Sequence, residues 1–152
     1  MAAELDKLDR RLLDLLQRDA TLSLADLAEA VSLSRSACWR RLQKLEAAGV
    51  IRGRVTLLEP AAVGLPLTVF ILIRTNQHNA AWAKRFQAVV SGVPGVQEVY
   101  RMGGDVDYLV KAVVADMPDY DRLYQQLIEA DLADVSAGFV MEELKHSTVL
   151  PL

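Results

Sequence analysis

The chain of 152 residues lacks the features of a secreted or membrane-spanning protein. It has a single cysteine, Cys38, which excludes an internal disulfide and a cysteine-based metal site. One cysteine fits a reducing compartment, so we expect the protein in the cytoplasm. No apolar run reaches the roughly 18 residues of a membrane span. The acidic start of the chain, which is predicted to become helical at once, is unlike a signal peptide.

The sequence also lacks a catalytic constellation. Glu142 and Glu143 are adjacent in a predicted strand, so their carboxylates point to opposite faces and cannot cooperate. We find no nucleophile with a base at a suitable spacing, no Gly-rich phosphate loop and no metal-ligand spacing. We therefore expect no enzyme: no catalytic residues, no metal and no cofactor.

What the chain does have is a concentrated positive charge. Hydrophobic residues make up 52% and charged residues 24%, which is typical of a folded soluble protein of one medium or two small domains. Between positions 35 and 54 there are six basic residues and one acid, a charge of +5 in a chain whose total is −3. Residues 61–152 hold seven basic residues against eleven acidic ones. A polyanionic partner would therefore meet the first half.

The first half reads as a helix-turn-helix. A first helix is predicted over residues 5–18, and Ser23 can cap a second. Ser34 can cap a third helix, whose buried stripe would include Cys38 and which Gly49 would end. A basic exit over 50–54 would then form a wing, followed by a strand over 54–58.

The third helix can place its N-terminal turn in the major groove of double-stranded DNA. The residues predicted to contact DNA point away from the apolar stripe or lie in the basic exit, and they are Ser34, Arg35, Ser36, Trp39, Arg40, Gln43, Lys44, Arg52 and Arg54. Arg41 belongs to the same basic set. The alternative is a solvated basic face, because many winged helices are protein–protein modules.

From residue 67 the pattern changes. Strands are predicted over 67–75, 96–102, 107–115 and 135–144, with helices over 80–90 and 116–130. The order is β-α-β-β-α-β, the ferredoxin-like plan, so the fold class is α+β with an N-terminal winged helix-turn-helix. We place the domain boundary at residue 60, giving domains 1–60 and 61–152, since Glu59-Pro60 begins the best linker candidate.

The first predicted strand is apolar on both faces. Val69, Ile71 and Ile73 alternate with Phe70 and Leu72, yet the two helices can cover only one face of the sheet. A second copy of the chain would cover the other, so we expect an obligate homodimer. On this reading Ile71→Asp should damage dimerisation.

Three motif blocks resemble a known family. S-x-x-x-C-W-R-R-L-x-x-L-E-x-x-G-V-I, M-G-G-D-V-D-Y-L-V-K and F-V-M-E-E-L-K are similar to the Lrp/AsnC (feast/famine) transcriptional regulators over residues 5–152. Cys38-Trp39 and the ending K-H-S-T-V-L-P-L resemble a cysteine-responsive branch. The resemblance implies a DNA-binding regulator whose assembly or DNA binding responds to a small effector, usually an amino acid. It also implies dimers that often form rings of four dimers, here an octamer.

The resemblance places the effector at an interface between copies of the chain. The implied effector-binding residues are a loop with its D-Y pair and a weaker, positional patch on the last strand, namely Met102, Gly103, Gly104, Asp105, Asp107 and Tyr108 with Val135, Ser136 and Ala137. Gly103 and Gly104 are also explained by a hairpin turn alone. Backbone N–H groups there could hold a carboxylate, and Asp105 or Asp107 could hold an ammonium.

Two further alternatives stay open at this stage. Cys38 lies on the inner stripe of the third helix, where a small buried hydrophobe is the simpler reading and a redox-sensing thiol the other. The rival to a transcription factor is an effector-binding assembly protein whose winged helix recruits protein.

Overall fold

The computed structural model describes residues 4–152 and forms two compact units, Met1–Thr56 with Leu144–Leu152, and Leu57–Glu143. Residues 1–3 of the predicted first domain lie outside the described residues. The last nine residues therefore group with the first unit rather than with the sheet that precedes them.

The first unit is built on three helices, α1 (Lys7–Arg18), α2 (Leu24–Ala30) and α3 (Arg35–Ala47). Capping boxes begin α1 and α2, and in the second of these the Ser23 side chain accepts from the Asp26 N–H. The core combines one residue stripe from each helix: Leu12, Leu27, Ala28, Val31, Cys38 and Leu42. The three predicted helices are confirmed.

Helix α3 ends as its sequence predicts. Gly49 has a φ of +70°, and the N–H groups of Gly49 and Val50 donate to the carbonyls of Glu46 and Leu45, each at 2.9 Å. This 5→2 and 6→1 pair is a Schellman motif, for which a left-handed glycine is the favoured residue. Glycine at 49 thus sets where α3 ends.

The predicted strand over residues 54–58 is wrong for the described chain. The structure has no strand between Ala47 and Leu67, and Val55, Leu57 and Leu58 are 80%, 65% and 67% exposed. A strand needs a second segment to pair its backbone groups, and no segment of residues 4–152 pairs with residues 54–58. The basic exit over residues 50–54 also lacks regular secondary structure.

The end of the chain returns to α1. The Gln17 side-chain amide donates to the Leu150 carbonyl and its carbonyl accepts from the Leu150 N–H, both at 2.8 Å. This two-point clamp attaches the C-terminal segment to the first unit.

The second unit has the predicted β-α-β-β-α-β order. Its elements are β1 (Leu67–Arg74), α4 (Ala80–Gly92), β2 (Val96–Arg101), β3 (Tyr108–Val114), α5 (Met117–Leu127) and β4 (Asp134–Phe139). The four strands are antiparallel in the order β2-β3-β1-β4, which confirms the ferredoxin-like plan.

The last strand is shorter than the predicted range 135–144. Its final rung is the hydrogen bond from the Val140 N–H to the Thr68 carbonyl, at 2.9 Å. Beyond that point only Leu67 of β1 remains, and Pro66 before it has no N–H to donate to a further rung. The ladder therefore stops because its partner strand begins at Leu67.

The two faces of the sheet differ. Val69, Ile71 and Ile73 are fully buried under α4 and α5, whereas Phe70 and Leu72 are each 37% exposed. The register sets Leu72 opposite both Leu109 and Ser136, so these three share the uncovered face. The alternation predicted for this strand is confirmed. Ile71 lies on the covered face and belongs to the core. Ile71→Asp therefore tests the fold of the second unit and not its assembly.

Candidate nucleic-acid interface and effector loop

The connection into α3 exposes its first turn. Ser32, with a φ of +55°, takes a left-handed conformation that separates α2 from α3. The Ser34 hydroxyl then accepts from the Ala37 N–H at 3.2 Å, as the predicted cap requires. Cys38, Leu42 and Leu45 are buried at helical spacing, which fixes the opposite face outward.

All nine predicted DNA-contacting residues are exposed, as a nucleic-acid surface requires. Seven lie on the cap and outer face of α3, and Trp39 among them is 52% exposed. Arg52 and Arg54 lie in the irregular segment after Gly49. The structure thus brings the α3 residues to one helix face.

Two of the six basic residues between positions 35 and 54 have acidic partners within the chain. Arg54 Nη1 lies 3.1 Å from Glu46 Oε1, and both side chains are at least one-third exposed. Arg41 Nη1 lies 2.6 Å from Asp6 Oδ2 and 2.8 Å from Asp9 Oδ1, and less than one-third of the Arg41 side chain is exposed. Of the six basic residues counted from the sequence, Arg41 is therefore directed into its own domain.

The buried reading of Cys38 is the one that the structure favours. The residue is fully buried in the core of the first unit, and burial raises the pKa of its thiol. A raised pKa keeps the thiol protonated, and the thiolate is the reactive form. A redox-sensing role needs a lowered pKa and access, neither of which this site has.

The loop between β2 and β3 is held from three sides. The Met102 N–H donates to the Asp107 carbonyl at 2.8 Å, which closes the hairpin. The Asp107 N–H donates to the Ile73 carbonyl, and its carboxylate accepts from the Thr75 N–H at 2.8 Å. Gly104 has a φ of +118°, a conformation that other residues rarely adopt. The paired glycines therefore lie in the turn of a hairpin.

Asp105 and Asp107 differ in availability. The Asp107 carboxylate is already bonded to the chain that follows β1, whereas Asp105 is exposed and takes part through its carbonyl, which accepts from Arg74 Nε at 2.8 Å. Of the two acids named from the sequence, Asp105 is the one whose side chain faces solvent.

A cavity of about 340 Å³ lies beside this loop. Met102, Asp107 and Tyr108 line it, together with residues that the sequence analysis missed: Arg101, His78, Asn79 and Trp82 among them. Tyr108 packs its ring on Phe86, with centroids 4.6 Å apart. Arg101 ends β2 and directly precedes the loop in the chain. His78, Asn79 and Trp82 follow β1, and the pairing of β1 with β3 brings them to the loop.

The second predicted patch divides in two. Val135 and Ala137 pack against the core of the second unit, while Ser136 is exposed on the uncovered face. Register places Val135 and Tyr108 on either side of Ile73, so the patch and the loop lie at the same end of the sheet. Arg74 joins them, because its Nη1 lies 2.9 Å from Asp134 Oδ2 while its Nε bonds the Asp105 carbonyl.

Two kinds of feature are absent from residues 4–152: a membrane-spanning helix and a cluster of metal ligands. None of the helices there combines the length and the apolarity that crossing a bilayer requires. Within the same residues, no three side chains of the metal-binding types come together as a set of ligands.

Comparison with known families assigns both units. Residues 5–52 match the winged helix-turn-helix DNA-binding family, and residues 68–150 match the Lrp/AsnC ligand binding domain. The chain is 53% identical to the glutamate uptake regulatory protein of Zymomonas mobilis, over 100% of this chain and 93% of that one.

Solved structures agree. An AsnC family transcriptional regulator from Agrobacterium tumefaciens has a TM-score of 0.91 and 52% identity, covering 97% of both chains. A transcriptional regulator from Neisseria meningitidis in complex with L-Met has a TM-score of 0.90 and 35% identity, again over 97% of both. With a DNA-binding helix-turn-helix followed by a ligand-binding domain, the chain belongs to the Lrp/AsnC family of transcriptional regulators.

Proposed function

We propose that the chain reads double-stranded DNA through the outer face of α3 and that an amino acid bound near the 102–107 loop changes this binding. The main support for DNA binding is that all nine predicted DNA-contacting residues are exposed, while the buried residues of α3 hold the helix on its domain. A helix held in this way can enter the major groove by its first turn.

The side chains divide by the DNA groups they can reach. Ser36 and Gln43 are the base readers, because short polar and amide groups match base edges. Arg35, Arg40, Lys44 and Arg52 bind phosphates, with Ser34 and Trp39 touching the backbone at the flank. Arg54 joins them by exchanging Glu46 for a phosphate, since an exposed ion pair adds little stability.

The amino-acid site centres on the loop and its cavity. The N–H groups of Gly103 and Gly104 with the Arg101 guanidinium would hold the carboxylate, and Asp105 would hold the ammonium. Asp107 supports the loop through its bond to Thr75, while Met102 and Tyr108 offer an apolar wall. Ser136 of a neighbouring copy is the exposed member of the facing patch; Val135 and Ala137 shape that strand from beneath.

A homodimer forms through the uncovered sheet face, and four dimers form an octameric ring. Phe70 and Leu72 on that face are too apolar to be left in water along a whole strand. The domains are proposed to divide at residue 60, the protein works in the cytoplasm with the DNA it binds, and it has no enzymatic activity. The rival function is recruitment of a protein by the helix-turn-helix. It predicts that added salt would weaken binding to the partner only slightly.

Selection of duplexes from a random DNA pool by the purified protein tests the DNA part. We expect one enriched sequence, bound with an affinity that falls steeply with salt. Recovery of no common sequence would contradict it. A thermal-shift screen over the twenty amino acids tests the effector part, since a ligand that binds only the folded state raises Tm. No shift with any of them would contradict an amino-acid effector.

A further inference from the structure

Arg41 differs from every other basic residue of α3 in where its charge lies. Its Nη1 donates to Asp6 Oδ2 at 2.6 Å and to Asp9 Oδ1 at 2.8 Å. Arg40, the next residue on the helix, is exposed. Two adjacent arginines on one recognition helix therefore face different environments.

The two carboxylates that Arg41 binds are the capping box of α1. Asp6 Oδ1 accepts from the Asp9 N–H at 2.8 Å, and Asp9 Oδ2 accepts from the Asp6 N–H at 3.2 Å. Each carboxylate thus gives one oxygen to the cap and the other to the guanidinium. The arginine closes a ring of four bonds that joins the middle of α3 to the first turn of α1.

Burial makes this pair different from a surface ion pair. The Asp9 side chain is 9% exposed and that of Arg41 is 31% exposed. The charge of Asp9 is compensated in place by Arg41, so moving the guanidinium to a phosphate would leave a buried carboxylate unpaired. The N–H of Asp9 and the Arg41 guanidinium hold the pKa of Asp6 below its usual value, so the Asp6 carboxylate stays ionised at neutral pH.

The ring lies where it can set the angle of α3. Leu12 of α1 lies in the same buried apolar cluster as Cys38 and Leu42 of α3, and apolar burial is non-directional, so it does not by itself fix the rotation of a helix. Arg40 and Lys44 line the same groove of about 690 Å³ as the ring. The hydrogen bonds from Arg41 to Asp6 and Asp9 are directional, so they can fix the rotation of α3 and with it the residues that face the DNA.

We propose that Arg41 is a positioning residue: it sets the orientation of α3 through the α1 capping box and contacts no phosphate. The proposal rests on the proposed DNA reading. It follows that Arg41 contributes to discrimination between sequences and not to the salt-dependent part of affinity, whereas its neighbour Arg40 does the reverse.

Arg41→Met and Arg40→Met form a matched pair, since both keep the aliphatic stem and remove one charge. The probes are the duplex that the wild type selects from a random pool and a scrambled duplex of the same length. For Arg41→Met we expect the ratio of the two affinities to fall about tenfold, with an unchanged slope of log affinity against log salt. For Arg40→Met we expect a slope smaller by about 0.9 and both affinities lowered together.

Two observations distinguish a loss of folding from a change in the orientation of α3: the ratio of the two affinities and the behaviour of a second variant. A partly unfolded protein loses both affinities by the same factor, so the ratio does not change. Arg41→Met with Asp9→Asn removes the uncompensated charge while the amide oxygen can still accept in the capping box. We expect this variant to melt close to the wild type and to keep the lowered ratio.

Either of two results overturns the proposal. One is a salt slope reduced by about 0.9 in Arg41→Met, which means a phosphate contact. The other is a wild-type ratio in the double variant. A wild type that selects no duplex would instead defeat the proposed function, so the two failures are distinguishable.

Discussion

The two units of the molecule expose their functional surfaces in different ways. In the first unit the three helices bury a shared core, and the exposed residues of α3 are mainly polar or basic, with Trp39 as the large apolar exception. In the second unit one face of the sheet is covered by α4 and α5, while Phe70 and Leu72 stay partly exposed on the other. The charged face of α3 is the surface that we propose for DNA, and the uncovered apolar face of the sheet is the one that we propose for another copy.

The largest effect should come from Ile71→Asp. Ile71 is fully buried in the core of the second unit, so an unpaired carboxylate there should destabilise the unit by about 5 kcal/mol or more. Circular dichroism should show loss of its cooperative melting. A folded variant with near-native Tm would show that the covered face is not the core.

Leu72→Asp is the matched change on the other face. Leu72 is 37% exposed, so the protomer should keep its fold while the dimer interface gains an unpaired charge. Sedimentation should show a folded monomer where the wild type shows a dimer or larger assembly. A stable wild-type monomer, or an unaffected assembly in Leu72→Asp, would contradict the role of this face.

A smaller effect is expected at the base-reading side chains of α3. Gln43→Ala should remove about 1–3 kcal/mol of discrimination if the amide makes a bidentate contact to a base. Its only described partner is Glu46, at 3.4 Å, so the fold should be unaffected. Gel shifts with the selected duplex and single-base variants measure it, and unchanged preference at every position would rule Gln43 out as a reader.

The smallest effect should come from Cys38→Ala. The change leaves a small cavity and should lower the free energy of unfolding by about 1 kcal/mol at pH 7. Because burial raises the thiol pKa in the folded state, ionisation above the ordinary thiol pKa favours unfolding of the wild type only. The difference between the two proteins in urea unfolding should therefore shrink as pH rises past about 8.5. A difference that grows with pH would mean a lowered pKa.

Local signals were sufficient for most of the fold. The caps Ser23 and Ser34 and the stop Gly49 each lie where the sequence places them, because capping depends on residues within four positions. The two-faced pattern of β1 likewise follows from its period of two. These features needed no tertiary information.

Pairing between distant residues was not predictable in this way. The partners of Arg41 lie 35 and 32 residues before it, so composition alone counted it as a phosphate ligand. The bridge from Arg74 to Asp105 and Asp134 and the inward side of Val135 depend on strand register. The predicted strand over 54–58 is wrong because a strand needs a second segment to pair with. The apolar pattern of residues 54–58 carries no information about whether such a segment lies beside them.

The most direct test of the account is a set of four affinities: wild type and Gly104→Val, each bound to the selected duplex with and without the amino acid that raises Tm. Gly104 has a φ of +118°, which valine tolerates poorly, and no atom lies within 4 Å of an added Cβ, so the change should distort the loop and little else. Gly103→Ala, with equal space and no such φ, is the control for fold.

We expect the amino acid to change wild-type affinity by about 5–150-fold, the range of a typical coupling. Gly104→Val should bind the free duplex as the wild type does and show no response to the amino acid. A Gly104→Val protein that still responds fully, or that loses binding without the amino acid, would contradict the division between a surface that reads DNA and a loop that senses the effector.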